Sequence, residues 1–111
     1  MKDIIQYDDF AKLDIALGTI LTVEIIDGAD KLLKLMVDVG EEAPRQILSG
    51  IREFFSDPQS LVGRQCPFVV NLAPRTIRGF ESQGMILASL SCEIFALLEP
   101  SVILAPGSRV S

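Results

Sequence analysis

The residues of this chain best suited to bind another molecule are arginines in a stretch without acidic residues. Residues 64–80 contain Arg64, Arg75 and Arg78 and no aspartate or glutamate. A guanidinium group pairs bidentately with a phosphate and also stacks on the face of a base. Arg75 and Arg78 are therefore candidate contacts to a polyanion. The alternative is a surface ion pair, for instance with Glu81.

A lysine supplies a further candidate cation. Lys31 follows Asp27-Gly28-Ala29-Asp30, a sequence that predicts a turn. An ammonium group meets a phosphate as a compact charge, and such contacts position a nucleic acid without reading its sequence. Lys31 is either such a contact or a solvated turn lysine.

Neutral polar residues follow the arginines. Ser82 and Gln83 carry hydrogen-bonding groups that suit ribose 2′-hydroxyls or base edges. Met85 is interpreted as core, with packing on an unstacked base as the alternative. Asn71 ends a predicted buried strand, where its amide either contacts a ligand or holds the following loop. Aromatic residues that could stack on bases are scarce, so we expect contacts to backbone and shape instead.

The composition argues against an enzyme and against a metal or cofactor site. The chain has no histidine, which removes the commonest general base and metal ligand. Cys66 and Cys92 are far apart and lie in apolar stretches, so we expect two buried thiols rather than metal ligands. The paired acids Asp8-Asp9 and Glu41-Glu42 are expected to be solvated at turns. We predict no catalytic residue, metal ligand or cofactor.

The distribution of charge is more informative than its sum. The net charge of −5 argues against general nucleic-acid binding, because phosphate contacts need lysine and arginine. Residues 1–30 hold two lysines against seven acids, whereas residues 64–80 are locally basic. We expect Lys31, Arg75 and Arg78 to lie on loops around one face, with most acids elsewhere. The same distribution is also compatible with an ordinary surface.

The elements that must position these residues are mostly strands. Residues 13–26 alternate in hydrophobicity around Gly18, which suggests a bulge or a bend. Asp57-Pro58 is typical of a helix start, and Gly63 can end that helix. Residues 75–84 are predicted to form a polar loop. Further predicted elements are strands over residues 33–39, 45–48, 66–72, 85–90 and 94–98 and a helical turn near Asp8.

This pattern predicts one all-β domain over residues 1–111. Strands separated by turns, with one short helix between the third and fourth, suit a five-stranded Greek-key barrel of the oligonucleotide-binding type with a C-terminal extension. Pattern alone also allows a small β-sandwich. No apolar run approaches the roughly 20 residues of a membrane helix. The N-terminus lacks a signal peptide's apolar core. A cytoplasmic location and no membrane partner are therefore expected.

Three stretches, in order and with consistent spacing, carry a family resemblance. They are Asp8-Asp9-Phe10-Ala11-Lys12-Leu13-Asp14-Ile15 with Gly18, then Ala29-Asp30-Lys31-Leu32-Leu33-Lys34-Leu35 with Val37-Asp38-Val39-Gly40, then Asn71-Leu72-Ala73-Pro74-Arg75 through Arg78-Gly79 to Glu81-Ser82-Gln83-Gly84-Met85. Together they resemble the tRNA-binding domain found at the C-terminus of many methionyl-tRNA synthetases. The same domain occurs as a free-standing tRNA-binding protein and, more distantly, as the CsaA secretion chaperone.

The resemblance implies a binding module rather than an enzyme. It implies the oligonucleotide-binding barrel, a homodimer, and binding of tRNA directed by its shape rather than its sequence. It also implies a methionyl-tRNA synthetase catalytic domain as a partner. The implied RNA-binding residues are Lys31, Asn71, Arg75, Arg78, Ser82, Gln83 and Met85.

Two positions depart from the family's usual pattern. Ala16 stands where the family usually has an arginine, and Ala73 stands where it usually has a lysine before Pro-Arg. A smaller number of cations at the phosphates lowers affinity and flattens its salt dependence. The departures therefore predict weak tRNA binding, or binding that supplements a catalytic domain.

Hydropathy provides a separate argument for self-association. The mean hydropathy of +0.39 is high for so small a domain, which predicts outward apolar residues such as Ile20 and Met36. Two-fold pairing of identical patches is the usual way to cover them. Two alternative functions remain, a CsaA-like peptide-binding export chaperone and a pure dimerisation domain.

Overall fold

The computed structural model describes residues 1–111 as an antiparallel sheet that curls into a nearly closed barrel. The sheet has the order β3-β2-β1-β4-β7, with β10 paired to the free part of β1. The strands are β1 (Ile15–Ile25), β2 (Leu33–Asp38), β3 (Arg45–Ser49), β4 (Gln65–Val69), β5 (Arg75–Ile77), β6 (Phe80–Ser82), β7 (Met85–Ile86), β8 (Ala88–Ser91), β9 (Ile94–Leu97) and β10 (Arg109–Val110). The predicted mostly-β, oligonucleotide-binding-type barrel is confirmed.

Gly18 lies at a close approach rather than at the predicted bulge. It pairs regularly with Cys66 in β4, and a Cβ added to it would come within 2.8 Å of a Phe68 ring carbon. The register of β1 against β2 shifts further along, between Ile20 and Thr22. A bulge there bends β1, so that its first part pairs with β4 and its later part pairs with β2.

This bulge reverses which residues of β1 face the core. Before it the even-numbered Ala16 and Ile20 are buried in the main cluster, and after it the odd-numbered Val23 is buried. The prediction that Ile20 faces outward is therefore wrong, because a uniform alternation does not survive an inserted residue. Met36 on β2 is half-buried.

The main core fills the barrel with apolar side chains from its strands and from the segment before β4. Strand β4 contributes most densely, since all its residues are buried, as the apolar run predicted. The members are Ala16, Ile20, Val23, Leu33, Leu35, Val37, Val39, Ile47, Ile51, Leu61, Cys66, Phe68, Val70 and Ile86.

Helical structure is sparse and differs from the prediction. The one α-helix, α1 (Tyr7–Phe10), precedes the barrel. The connection from β3 to β4 holds two 3₁₀ turns, Arg52–Phe54 and Pro58–Leu61, instead of one short helix. Asp57 caps the second turn as expected, accepting a hydrogen bond from the Gln59 N–H at 3.2 Å. No helix is long and apolar enough to cross a membrane.

Residues 75–84 form a hairpin where a polar loop was predicted. Strands β5 and β6 pair through a two-residue turn, Arg78-Gly79, with positive φ at both positions. This is the pattern of a type I′ turn, which matches the twist of the flanking strands. The predicted strand over residues 85–90 is also interrupted, since β7 joins the barrel while β8 pairs only with β9.

The β8–β9 hairpin stands outside the barrel sheet. Its turn, Cys92-Glu93, has positive φ at both residues, although neither is glycine. Cys92 is exposed, so the prediction that both thiols are buried is correct only for Cys66. Phe95 and Leu97 of this hairpin are half-buried against the main core, whereas Leu90 and Ile94 are exposed.

Candidate nucleic-acid interface

A small apolar cluster brings the predicted basic loops together. Ile26 and Ala29, in the connection from β1 to β2, are buried with Leu48 of β3, and Ile77 and Phe80 of the β5–β6 hairpin pack against them. In a barrel of this class, the β1–β2 loop and the loop before the last barrel strand flank the ligand-binding face. The cluster therefore holds the loop of Lys31 beside the hairpin of Arg75 and Arg78.

The three predicted cations have no carboxylate partner. The four ion pairs of the chain use Lys12, Lys34, Arg45 and Arg109. Lys31, Arg75 and Arg78 are exposed and form none. The alternative pairing with Glu81 is not formed, since Glu81 lies opposite Thr76 in the hairpin. Their charges remain available to an anion.

Acidic residues also lie on this side, which departs from the expected separation of charge. Glu24 and Asp27 line the same surface recess as Arg78 and Lys34. The Lys34 ammonium lies 2.7 Å from a Glu24 carboxylate oxygen and 4.9 Å from the centre of the Phe80 ring. Lys34 is thus a cation whose charge is largely neutralised by its neighbour.

Arg52 is a nearby cation that the sequence did not single out. Its Nη1 donates to the Ala29 carbonyl at 3.2 Å, and its backbone N–H donates to the Lys31 carbonyl at 3.2 Å. Arg52 therefore braces the loop that carries Lys31. Because the partners are backbone carbonyls far along the chain, no local motif could have indicated this role.

Ser82 and Gln83 use part of their polar groups to close the barrel. The Ser82 hydroxyl is buried, accepts from the Leu48 N–H at 3.0 Å and donates to the Gly84 carbonyl at 3.2 Å. Gln83 Oε1 accepts from the Gln46 N–H at 3.0 Å. These side chains supply the edge of β3 with acceptors that a neighbouring strand would otherwise provide.

Asn71 has a structural role that was not among its predicted alternatives, and Met85 departs from its predicted place in the core. Asn71 accepts from the Asp14 N–H at 2.8 Å and donates to the Lys12 carbonyl at 2.7 Å, so its amide holds the segment before β1 rather than the following loop. Met85 is 46% exposed and lies beside Arg75, so the interpretation as core is wrong. Exposed methionine in a basic neighbourhood fits the alternative of packing on a ligand.

Residues 15–109 match the model of the family described as "Putative tRNA binding domain". The chain belongs to this tRNA-binding domain family. It is 48% identical over 110 residues to a methionine–tRNA ligase of Methanococcoides burtonii, and 46% identical over 108 residues to one of Xanthomonas campestris. These alignments cover 98% and 96% of the chain but 16% of either ligase.

Solved structures of other proteins share the fold of this chain. A protein from Pyrococcus horikoshii described as related to methionyl-tRNA synthetase superposes with a TM-score of 0.91 at 33% identity, covering 99% of this chain and all of that one. The CsaA chaperone of Bacillus anthracis superposes with a TM-score of 0.86 at 28% identity, covering 98% of this chain and 100% of that chain. The barrel of this tRNA-binding domain is thus shared by proteins described in two different ways.

The two departures from the usual family pattern have different structural consequences. Ala16 is fully buried in the core and pairs with Phe68 across the sheet. In this chain position 16 is therefore part of the packed core rather than of an exposed basic surface. Ala73 is exposed beside Arg75, where a longer side chain would reach solvent.

Proposed function

We propose that this tRNA-binding domain binds folded tRNA through Lys31, Arg75 and Arg78, without catalysing a reaction itself. The observation that carries the proposal is that these three exposed cations have no carboxylate partner and lie on the β1–β2 connection and the β5–β6 hairpin, which one apolar cluster joins. Phosphate contacts carry no sequence information, so the domain binds different tRNA species with similar affinity.

The neutral residues have a secondary part in this proposal. Ser82 fixes the end of the β5–β6 hairpin against β3, and Asn71 fixes the segment before β1, since their polar groups already have partners in the chain. Gln83 Nε2 has no acceptor within the chain and is the neutral donor offered to a ribose or phosphate oxygen. Met85 contributes apolar contact area next to Arg75.

The domain works as a homodimer in this proposal. Apolar side chains are exposed on the β8–β9 hairpin and the C-terminal tail, including Leu90, Ile94 at 73%, and Ile103 at 74% exposure. Two-fold pairing would cover them and double the basic surface presented to a large polyanion. Sedimentation at micromolar concentration is expected to give a dimer, and a clean monomer would contradict this part.

The biological setting proposed is support of methionyl-tRNA synthetase. The relatives named as methionine–tRNA ligases contain this domain as 16% of their length. The domain would raise the local concentration of tRNA near a synthetase catalytic domain, whether it is joined to that domain or acts beside it.

Titration of folded tRNA at low salt, by gel shift or filter binding, tests the proposal. Arg75→Ala and Arg78→Ala are each expected to weaken binding of all tRNA species by about 3- to 10-fold and to reduce the salt slope by about one. Arg64→Ala is the matched control, because Arg64 is exposed, unpaired and outside the hairpin. No binding by wild type at tens of micromolar, or unchanged binding by both hairpin variants, would contradict it.

A CsaA-like peptide-binding chaperone is the second candidate. The structural similarity to a CsaA chaperone and the exposed apolar residues favour it. Fluorescence anisotropy with an unfolded apolar peptide separates the two functions, because peptide binding would depend on Leu90 and Ile94 and resist salt. A dimer that binds neither tRNA nor peptide would leave dimerisation as the function.

A further inference from the structure

A small apolar recess lies beside Arg75, at the base of the β5–β6 hairpin. Its volume is about 80 Å³. We call it the Arg75 recess, and besides Arg75 its lining is mainly Leu48, Leu72, Ala73, Ile77, Gly84 and Met85. Pockets that enclose whole small-molecule ligands measure roughly 300–1,000 Å³. The Arg75 recess is therefore large enough for part of one planar group and too small for a complete nucleotide.

The lining of the recess is apolar surface left in contact with water. Leu72 is 44% exposed and Met85 is 46% exposed, although both lie next to the buried Leu48. The one side-chain hydroxyl in the lining, on Ser82, already accepts and donates hydrogen bonds within the chain. The recess thus favours an apolar face, and apart from Arg75 its lining offers no free side-chain polar group.

We propose that the Arg75 recess takes one unstacked nucleobase of the bound tRNA, with Met85 and Leu72 packing against the base and Arg75 on the adjoining phosphate. This inference rests on the proposed tRNA binding and names what one part of that site contacts. The charge at the rim favours RNA over an apolar peptide side chain, because the Arg75 guanidinium has no carboxylate partner. Sulfur and aliphatic groups pack well on aromatic rings.

A specific consequence follows for the kind of RNA that binds. A base can enter the recess only if it is free of its stack and pair, so occupation of the recess requires an unpaired nucleotide near the contacted phosphates. Bases held by their faces are accepted with little sequence preference. The domain therefore prefers tRNA, with its loops, over a blunt fully paired RNA duplex, while remaining indifferent to tRNA species.

The test fills the recess without changing charge. Ala73→Leu places bulk in the recess. Ala105→Leu is the matched control, because Ala105 and Ala73 are both exposed alanines followed by proline and Ala105 does not line the Arg75 recess. Ala73→Leu is expected to weaken binding of tRNA on the order of tenfold, as removing the stacking surface for one base does. Its affinity for a blunt RNA duplex and its salt slope stay as in wild type. Met85→Ala, which removes one wall, weakens tRNA binding in the same selective way.

The outcomes separate this inference from the proposed function. If wild type does not bind tRNA, the proposed function fails. If wild type binds tRNA, and Ala73→Leu and Met85→Ala bind it equally well, the recess is not part of the RNA site and this inference alone is overturned. Equal loss of tRNA and duplex binding also overturns it. Unchanged tRNA binding with loss of apolar-peptide binding in Ala73→Leu would assign the recess to a peptide side chain instead.

Discussion

Gln46 and Gln83 close the barrel through two reciprocal hydrogen bonds. The Gln83 N–H donates to the Gln46 carbonyl at 2.8 Å, and the Gln46 N–H donates to Gln83 Oε1 at 3.0 Å. A side-chain amide thus takes the place of a backbone carbonyl at the edge of β3. These two bonds connect β3 to the end of the β5–β6 hairpin, which carries Arg75 and Arg78.

Replacing Gln83 with alanine is expected to destabilise the barrel by about 1–3 kcal/mol, because the half-buried Gln46 N–H loses its acceptor. Gln83→Glu retains an acceptor oxygen and should recover most of that loss. The free energy of unfolding from urea titration measures both. Equal destabilisation by the two substitutions would contradict the assigned role of Oε1.

Gly18→Ala should be far more damaging than another glycine-to-alanine change. The added Cβ would lie 2.5 Å from Val37 Cγ1 and 2.8 Å from Phe68 Cδ2, so two core side chains must move. Overpacking of this kind costs about 1–3 kcal/mol or more. Gly50→Ala, whose nearest neighbour would be 3.9 Å away, is the control and should be nearly neutral in thermal unfolding.

Restoring the family's arginine at position 16 should harm this chain rather than improve RNA binding. Ala16 is fully buried, and Ala16→Arg would place a charge in the core without a partner. We expect the free energy of unfolding to fall by about 3–5 kcal/mol. Chemical denaturation provides the measurement, and a stable variant with stronger tRNA binding would show that the chain around position 16 can expose this side chain.

The stability should decrease at alkaline pH because of Cys66. Burial raises the pKa of the Cys66 thiol to about 11, and the charge of Glu99 acts in the same direction. The unfolded chain releases this proton near pH 9 and the folded chain near 11, so stability is full below pH 9 and falls between the two values. The loss amounts to about 3 kcal/mol.

Cys66→Val provides the comparison for this pH dependence, since valine suits a buried site and does not titrate. Denaturant titrations at about pH 8 and about pH 11 should give a larger drop for wild type than for Cys66→Val. Cys92→Ser should behave as wild type, because Cys92 is exposed. An identical drop in wild type and Cys66→Val would exclude Cys66 as its source.

Removing Glu24 should strengthen tRNA binding by releasing Lys34. Glu24→Gln breaks the 2.7 Å ion pair and leaves a free ammonium group beside Arg78. We expect affinity to rise about threefold at low salt and the salt slope to increase by about one. Glu99→Gln changes the net charge equally but lies on the C-terminal tail, outside the recess of Arg78 and Lys34, so gel-shift titration should find it nearly unchanged. Equal gains from both would indicate an effect of overall charge only.

Much of the barrel was predictable because its signals are local. Alternation predicted β2, and the turn signals on either side predicted β3, both with nearly correct bounds. The apolar run over residues 66–72 predicted the buried β4, which ends earlier, at Val69. The β5–β6 hairpin was missed because Arg78 adopts positive φ in its turn, a conformation usually supplied by asparagine or glycine. The outward assignment of Ile20 failed because a bulge leaves no residue-specific signature in β1.

The sequence by itself determined the class of the domain, the basic stretch without acids and the lack of histidine. Composition and period-two alternation can be read without knowing which distant residues come into contact. The sequence did not determine which polar groups were already in use. Only the tertiary structure decided that Ser82 and Asn71 are bonded to distant backbone, and that Lys31, Arg75 and Arg78 have no carboxylate partner. Those outcomes depend on contacts between residues far apart in the chain, which the closing of the barrel creates.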